Sequence, residues 1–277
     1  MSGPDQYGVV GHPVAHSLSP FIHAMFARQT GQSLTYRLFD FPPEALQERI
    51  AAFFAQGGRG LNITLPYKIA AVGCASELTS RARHASAVNT LAMRKDGTIL
   101  GDNTDGAGLV QDLCVNQRLV LTRRRVLVIG AGGAARGVIA PLLALEPEIV
   151  VIANRTADRA KALAAAFAPL GNLQGVGFRY VVGGPYDLII NATSASLTGE
   201  IPDVPVGIIG AQTFCYDMAY GKGDTPFVRW CLELGCRAAV PGWGMLVEQA
   251  AESFLLWRGV RPDTAPVIAA VKSNTRP

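Results

Sequence analysis

Charge is scarce in this chain. Only 17% of its 277 residues are Asp, Glu, Lys or Arg, the net charge is +4, and the one dense basic run is Arg123–Arg125. A nucleic-acid binder needs a basic face or a recognisable module. The run at 123–125 stands just before an apolar stretch, where it reads as a solvated strand entry, so no nucleic-acid partner is expected. Cysteine is sparse too: Cys74, Cys114, Cys215, Cys231 and Cys236 are odd in number, with no Cys-x-x-Cys pair. That excludes a disulfide framework and a zinc module, and it suits reduced thiols in a cytoplasm. The histidines at 12, 16, 23 and 84 match no metal-ligand spacing, so no metal is expected. No apolar run approaches the roughly 18 residues that a membrane span requires, and MSGPDQYGVVGHPV lacks the basic-then-apolar order of a leader. A cytoplasmic chain with no membrane partner is the expectation.

What the chain has in quantity is hydrophobic residues, 49% of the total, in short runs punctuated by 30 glycines and 17 prolines. This length and texture suit an α/β protein of two domains. YGVVG (7–11) reads as a strand, and SPFIHAMFARQTG (19–31) as a helix with Ser19 as N-cap, Pro20 at the first helical position and Gly31 as its stop. LTYRLFDF (34–41) reads as a strand, 42–57 as an amphipathic helix, and GLNITL as a third strand. NTLAMRKDGTILGDNTD places two strand-like runs around Asp96-Gly97, a strong hairpin signal. From Arg125 a second βαβ series begins: RVLVIG, EIVVIAN, DLIINATS, FCYDMAY and RAAVPG. The boundary between the two series falls near Gly106. A long apolar helix at 244–259 is expected to return to the first domain, with Met245, Phe254 and Trp257 in the core.

RVLVIGAGGAARG sets a buried strand before Gly130-x-Gly132-x-x-Ala135 and a helix after it. The first glycine permits the tight turn, the second lets backbone approach a pyrophosphate, and the third small residue lets helix and strand pack closely. With a further strand at 148–154, the context required of a dinucleotide site is complete, so Gly130, Ala131, Gly132, Gly133 and Ala134 are assigned to the cofactor. At the end of that strand, where a free ribose 2′-hydroxyl would call for Asp or Glu, stand Asn154, Arg155 and Thr156, with Arg159 one turn on. Two arginines favour a 2′-phosphate, hence NADP(H).

Three polar clusters remain in the first part of the chain: GHPVAHSLSP (11–20), GLNITLPYK (60–68) with SAVNT (86–90), and GDNTDGAG (101–108). Hydroxyls, amides, one lysine and one carboxylate gathered at strand ends form an inventory for gripping a small polyol. His16 reads as structural or as a neighbour of that ligand. The order GHPVAHSLSPFIH, GLNITLPYK, SAVNT, GDNTDGAG, GAGGAARG, NRT, NATS, YDMAY and GWGMLVEQAAESFLLW resembles the shikimate dehydrogenase family over nearly the whole chain.

The resemblance implies a discontinuous α/β substrate domain, 1–105 plus 243–277, and a Rossmann-type doubly wound NADP-binding domain, 106–242. It implies reversible reduction of 3-dehydroshikimate to shikimate, hydride passing from NADPH across the cleft between the domains. Carried onto this chain, Ser17 and Ser19 hold the substrate carboxylate. Asn62, Thr64, Asn89 and Gln249 contact its hydroxyls, with Tyr220 nearby. Lys68 and Asp105 form the catalytic pair, and either member is a candidate to move the proton. Asp105 is also a candidate helix N-cap. Thr193, Ser194, Met218 and Gly242 face the cofactor. Two departures stand out: Ser196 where many members have glycine, and Trp243 where smaller residues are common; both bear on the nicotinamide side. A monomer or homodimer is expected.

The nearest rival is a quinate/shikimate dehydrogenase of broader specificity, often using NAD, against which Arg155 and Arg159 argue. A non-catalytic NADP(H)-sensing protein has no need of Lys68 or Asp105, and a folate-type dehydrogenase does not account for the Ser17/Ser19 loop.

Overall fold

The computed structural model describes residues 3–274; residues 1–2 and 275–277, which the expected first domain includes, lie outside the described residues. The chain is an α/β protein that divides into two compact units. One runs to Leu109 and resumes at Leu246–Val271; the other is Val110–Met245 with the segment from Lys272. The dividing points fall within helices α4 (Asp105–Gln111), α8 (Trp243–Arg258) and α9 (Ala265–Asn274).

The first unit holds β1 (Asp5–Gly11), α1 (Ser19–Thr30), β2 (Leu34–Asp40), α2 (Leu46–Ala55), β3 (Gly60–Ile63), β4 (Glu77–Leu78), α3 (Ser80–Ala85), β5 (Thr90–Met93) and β6 (Ile99–Asp102). They form a mixed sheet in the order β2-β1-β3-β5-β6-β4. β1 pairs in parallel with β2 and β3, while β5 runs antiparallel to both β3 and β6. The β5–β6 hairpin turns at Asp96-Gly97 as its sequence predicts. Gly97 takes a φ of 83°, which costs a glycine nothing, and the Asp96 carboxylate accepts from the Thr98 amide and hydroxyl. Val10, Ile50, Phe54, Leu61, Ile63 and Leu91 fill the core on one side.

One helix start differs from expectation. Leu18, not Ser19, holds the cap position of α1, with no side-chain cap bond; Ser19 is already helical, Pro20 follows it, and Gly31 closes the helix at φ 65°. The Ser19 hydroxyl instead accepts from Ser17 Oγ at 3.1 Å, and the Ser19 amide donates to the same Ser17 oxygen at 3.3 Å. Ser17 therefore supplies the hydroxyl that the helix start needs, which couples the two serines.

The second unit contains β7 (Arg125–Ile129), α5 (Gly133–Leu143), β8 (Ile149–Asn154), α6 (Ala157–Phe167), β9 (Leu173–Gly177), β10 (Leu188–Asn191), β11 (Phe214–Asp217), α7 (Pro226–Glu233) and β12 (Ala238–Pro241). All six strands are parallel, in the order β12-β11-β10-β7-β8-β9. Chain order reverses between β7 and β10, a switch point outside whose strand ends open sheets of this kind bind ligands. β7, β10 and β11 are buried along almost their whole length, which is why they read as short apolar runs, β10 and β11 closing on the polar Asn191 and Asp217.

Candidate functional site

In the first unit, β3 ends at Ile63 and the chain turns at once. The Thr64 amide donates to Val10 O at 2.9 Å, Tyr67 N to Thr64 O at 2.9 Å, and Val88 N to Lys68 O at 2.7 Å. This backbone frame sends the Lys68 ammonium to Asp105 Oδ2 at 2.6 Å; the carboxylate side chain is 4% exposed and the lysine 17%. An ion pair so placed is charge-assisted and strongly oriented. Asp105 is the first residue of α4, but its carboxylate is spent on Lys68 and, through Oδ1, on Asn89 Nδ2 at 2.8 Å, so it does not serve as the N-cap considered above. Its amide donates to Asn103 Oδ1 at 3.2 Å.

Asn89 and Asn62 are heavily committed. Asn89 Nδ2 lies within donating distance of Asp105, Thr104 Oγ1 and Gln249 Oε1, while its Oδ1 accepts from Thr104 N at 2.8 Å. Asn62 Nδ2 faces Ser253 Oγ at 2.9 Å, Thr90 Oγ1 at 3.1 Å and Asn89 O at 3.3 Å, and its Oδ1 accepts from Tyr36 OH at 2.7 Å. Two amide hydrogens already have three acceptors, so Asn62 has spare capacity only at Oδ1. Gln249 Nε2 is anchored on Leu246 O at 2.8 Å.

Three participants escaped the sequence reading. Ser253 joins Asn62, Thr90 and Thr104 in one buried network. It stands four residues after Gln249, on the same face of α8, which is the signal that could have found it. Tyr36 is held by burial, partly offset by the Ser19 hydroxyl, with a pKa well above the usual phenol value, and its ring stacks on His23 at 4.2 Å and 8°. Asp102, in the GDNTD motif, is gripped by Arg81 and Thr79 and accepts from the Asn103 amide at 2.7 Å. Burial alone would raise its pKa; Arg81 and Thr79 outweigh that and hold it below the usual carboxylate value. It is a structural anchor for the loop that carries Asp105.

In the second unit, Gly130 ends β7 at φ 115°, and a Cβ there would meet Ala192 O at 3.0 Å. Gly132 caps α5 with no side-chain bond, and a Cβ on it would project into open space. Ala135 is fully buried, as close helix–strand packing requires. The 11-residue helix thus starts without a side-chain cap beside open space at Gly132, the arrangement a pyrophosphate fits. At the end of β8, Asn154 Nδ2 donates to Thr156 O at 3.0 Å; Arg155 and Arg159 are exposed and have no acidic partner among the described residues. Thr193 Oγ1 donates to Asn191 Oδ1 at 2.7 Å, Ser194 is exposed, and Met218 N donates to Asn191 O at 2.9 Å. Gly242 is required by close backbone approach, since a Cβ would lie 2.7 Å from Met218 O. Tyr220 belongs to this unit; its ring lies 4.8 Å from that of Trp243, and burial pushes its pKa up to about 12.

A doubly wound parallel sheet with an uncapped glycine turn at its switch point, in a chain that also buries a lysine–carboxylate pair, defines a dinucleotide-dependent α/β oxidoreductase. Family models match in three places: shikimate dehydrogenase substrate binding domain over residues 9–91, shikimate/quinate 5-dehydrogenase over 114–198, and shikimate 5'-dehydrogenase C-terminal domain over 242–272. The chain belongs to the shikimate dehydrogenase family. It is 52% identical over 276 residues to "Shikimate dehydrogenase (NADP(+))" of Methylococcus capsulatus, covering 100% of this chain and 99% of the other. Among solved structures, an Ael1 enzyme from Pseudomonas putida superposes with a TM-score of 0.90 at 41% identity, covering 96% and 97% of the two chains. Shikimate 5-dehydrogenase from Thermus thermophilus in complex with NADP(H) and shikimate gives 0.85 at 32% identity, covering 97% and 99%.

Proposed function

We propose that this chain catalyses the reversible reduction of 3-dehydroshikimate to shikimate with NADPH, the dehydrogenase step of the shikimate pathway toward chorismate and the aromatic amino acids. The observation that carries the reading is the buried Lys68–Asp105 pair within an array of amides and hydroxyls. The unit that ends at Leu109 and resumes at Leu246–Val271 is the substrate part, and the unit Val110–Met245 is the cofactor part. NADPH, when bound, supplies the hydride.

Reduction of a ketone puts negative charge on its oxygen, which calls for a cation and a proton at that atom. Lys68 Nζ is the more open member of the pair and stands at the substrate oxygen. Asp105, with both carboxylate oxygens engaged, keeps the ammonium aimed. In reduction Lys68 Nζ gives its proton to the nascent alkoxide; in the reverse direction it takes the hydroxyl proton. Ser17 and Ser19 hold the carboxylate, Thr64, Asn89 and Gln249 the ring hydroxyls, and Asn62 accepts from a substrate hydroxyl through Oδ1. Tyr220 is assigned to the substrate on family pattern alone.

For the cofactor, the turn Gly130–Ala134 takes the pyrophosphate, and Asn154, Arg155, Thr156 and Arg159 take the adenosine 2′-phosphate. Thr193, Ser194, Met218 and Gly242 take the nicotinamide end. The uncapped start of α5 and the unpaired arginines support this assignment. The enzyme works on small molecules in the cytoplasm, as a monomer or homodimer. Five free cysteines suit that compartment, and no helix among the described residues is long and apolar enough to cross a membrane.

The test is 3-dehydroshikimate-dependent NADPH oxidation in the wild type and in Lys68→Ala. Loss of a general acid lowers turnover by about 10²- to 10⁴-fold, while the NADPH Kd should stay within about twofold, because the pair belongs to the substrate part. Equal losses in turnover and NADPH binding would remove Lys68 from the assigned role.

A further inference from the structure

β11 ends on Asp217, a carboxylate with no exposed surface and no cation bonded to it among the described residues. Four neutral donors hold it. Oδ1 accepts from Asn191 Nδ2 and from the Ala219 amide, each at 3.1 Å, and Oδ2 accepts from Ser196 Oγ and Thr225 Oγ1, each at 2.6 Å. A buried carboxylate is costly and persists where its donors are fully arranged around it. Burial pushes its pKa up, and these four bonds pull the other way.

The bonds show what the carboxylate organises. Asn191 Oδ1 accepts from Thr193 N and Thr193 Oγ1, and Thr193 Oγ1 accepts from the Ala195 amide. Met218 follows Asp217 directly, and Gly242 N donates to Ala219 O at 3.0 Å. The segments assigned to the nicotinamide end therefore all converge on one carboxylate. Ser196 closes the arrangement into a ring: it donates to Asp217 and accepts from Asn191 Nδ2 at 3.3 Å. Among the four donors, only its residue lies in the short 3₁₀ turn Ala195–Thr198, and its hydroxyl bonds that turn to the ends of β10 and β11. Ser196, Tyr220, Lys222 and Thr225 also line a cavity of about 310 Å³, so the ring borders open space.

We propose that Ser196 is a positioning residue for the cofactor: its hydroxyl ties the turn 195–198 to Asp217 and so fixes Thr193 and Ser194 where the nicotinamide end of the dinucleotide binds. The inference rests on the cofactor reading given above.

Ser196→Ala removes the hydroxyl alone, and Ser196→Thr keeps it. In cofactor-free protein, amide hydrogen exchange over residues 193–199 should quicken in Ser196→Ala and return toward wild type in Ser196→Thr. Titration with NADPH, followed by its fluorescence, should give a Kd raised about three- to tenfold in Ser196→Ala, the range that one neutral hydrogen bond supplies. Ser196→Thr should restore it, and the shikimate KM at saturating NADP⁺ should not move. Faster exchange with an unchanged NADPH Kd would make the bond merely structural and overturn the inference, as would an unchanged exchange rate. Wild-type protein that fails to bind NADPH would overturn the cofactor reading itself, a result distinct from wild-type binding that the substitution leaves untouched.

Discussion

His23 sits in α1 with no exposed surface, stacked on Tyr36, beside Phe254 and edge-on to Phe26, and neither ring nitrogen has a hydrogen-bond partner among the described residues. Burial pushes its pKa down from 6.5 to about 3. Between those values the unfolded chain takes up a proton that the folded chain refuses. Its stabilising effect is therefore complete above about pH 6.5 and is lost progressively as pH falls toward 3, an effect on the order of a few kcal/mol. His23→Phe keeps the aromatic stack and removes the titration. The wild-type thermal midpoint should fall more steeply than the variant's between pH 6.5 and pH 4; parallel curves would contradict the assignment. Arg155 allows a second prediction. Exposed and without an acidic partner among the described residues, it has no ion pair there to lose. Arg155→Ala should raise the NADP⁺ KM about tenfold or more and leave the NAD⁺ KM unchanged, since one charge-assisted pair is worth roughly 1.5–3 kcal/mol. An unchanged preference in steady-state kinetics would refute the phosphate contact.

Helices α4 and α8 meet at a glycine. A Cβ on Gly108 would lie 2.5 Å from the Gln249 amide nitrogen, and backbone cannot yield as a flexible side chain can. Gly108→Ala should cost about 1–3 kcal/mol of stability. Because the displaced residue is Gln249, it should also raise the shikimate KM while leaving the NADPH Kd alone; a variant with wild-type melting and KM would show that the helices adjust freely. The hairpin at Asp96-Gly97 and the strands of the second sheet were legible because local turn chemistry and short apolar runs announce them. β9 was not: LQGVG carries two glycines and is only partly buried, so no periodicity marks it. The start of α1 lies one residue before the expected one because a serine at the right offset reads as a cap, whereas the hydroxyl that bonds to its amide is that of Ser17.

Across the whole molecule, the polar residues of the loops were legible as an inventory, and their family order pointed to the chemistry. The pairings among them were not. Lys68 and Asp105 are 37 residues apart, Asn62 and Ser253 191 apart, and Ser196 and Asp217 21 apart. Single-sequence patterns carry information over one helix or strand, so bonds at these separations emerge only when the fold brings strand ends together. A lysine–carboxylate pair in one unit and a dinucleotide turn in the other are the parts that the proposed NADP-dependent reduction requires. The most direct measurement is the initial rate of nicotinamide reduction, by absorbance, with shikimate or quinate paired with NADP⁺ or NAD⁺. A strong signal for shikimate with NADP⁺, and at most a few per cent of it for shikimate with NAD⁺, is the expected result. Comparable rates with NAD⁺ would contradict the cofactor specificity argued from Arg155 and Arg159, comparable rates with quinate would move the chain to the broader-specificity branch, and no signal in any pairing would contradict the activity itself.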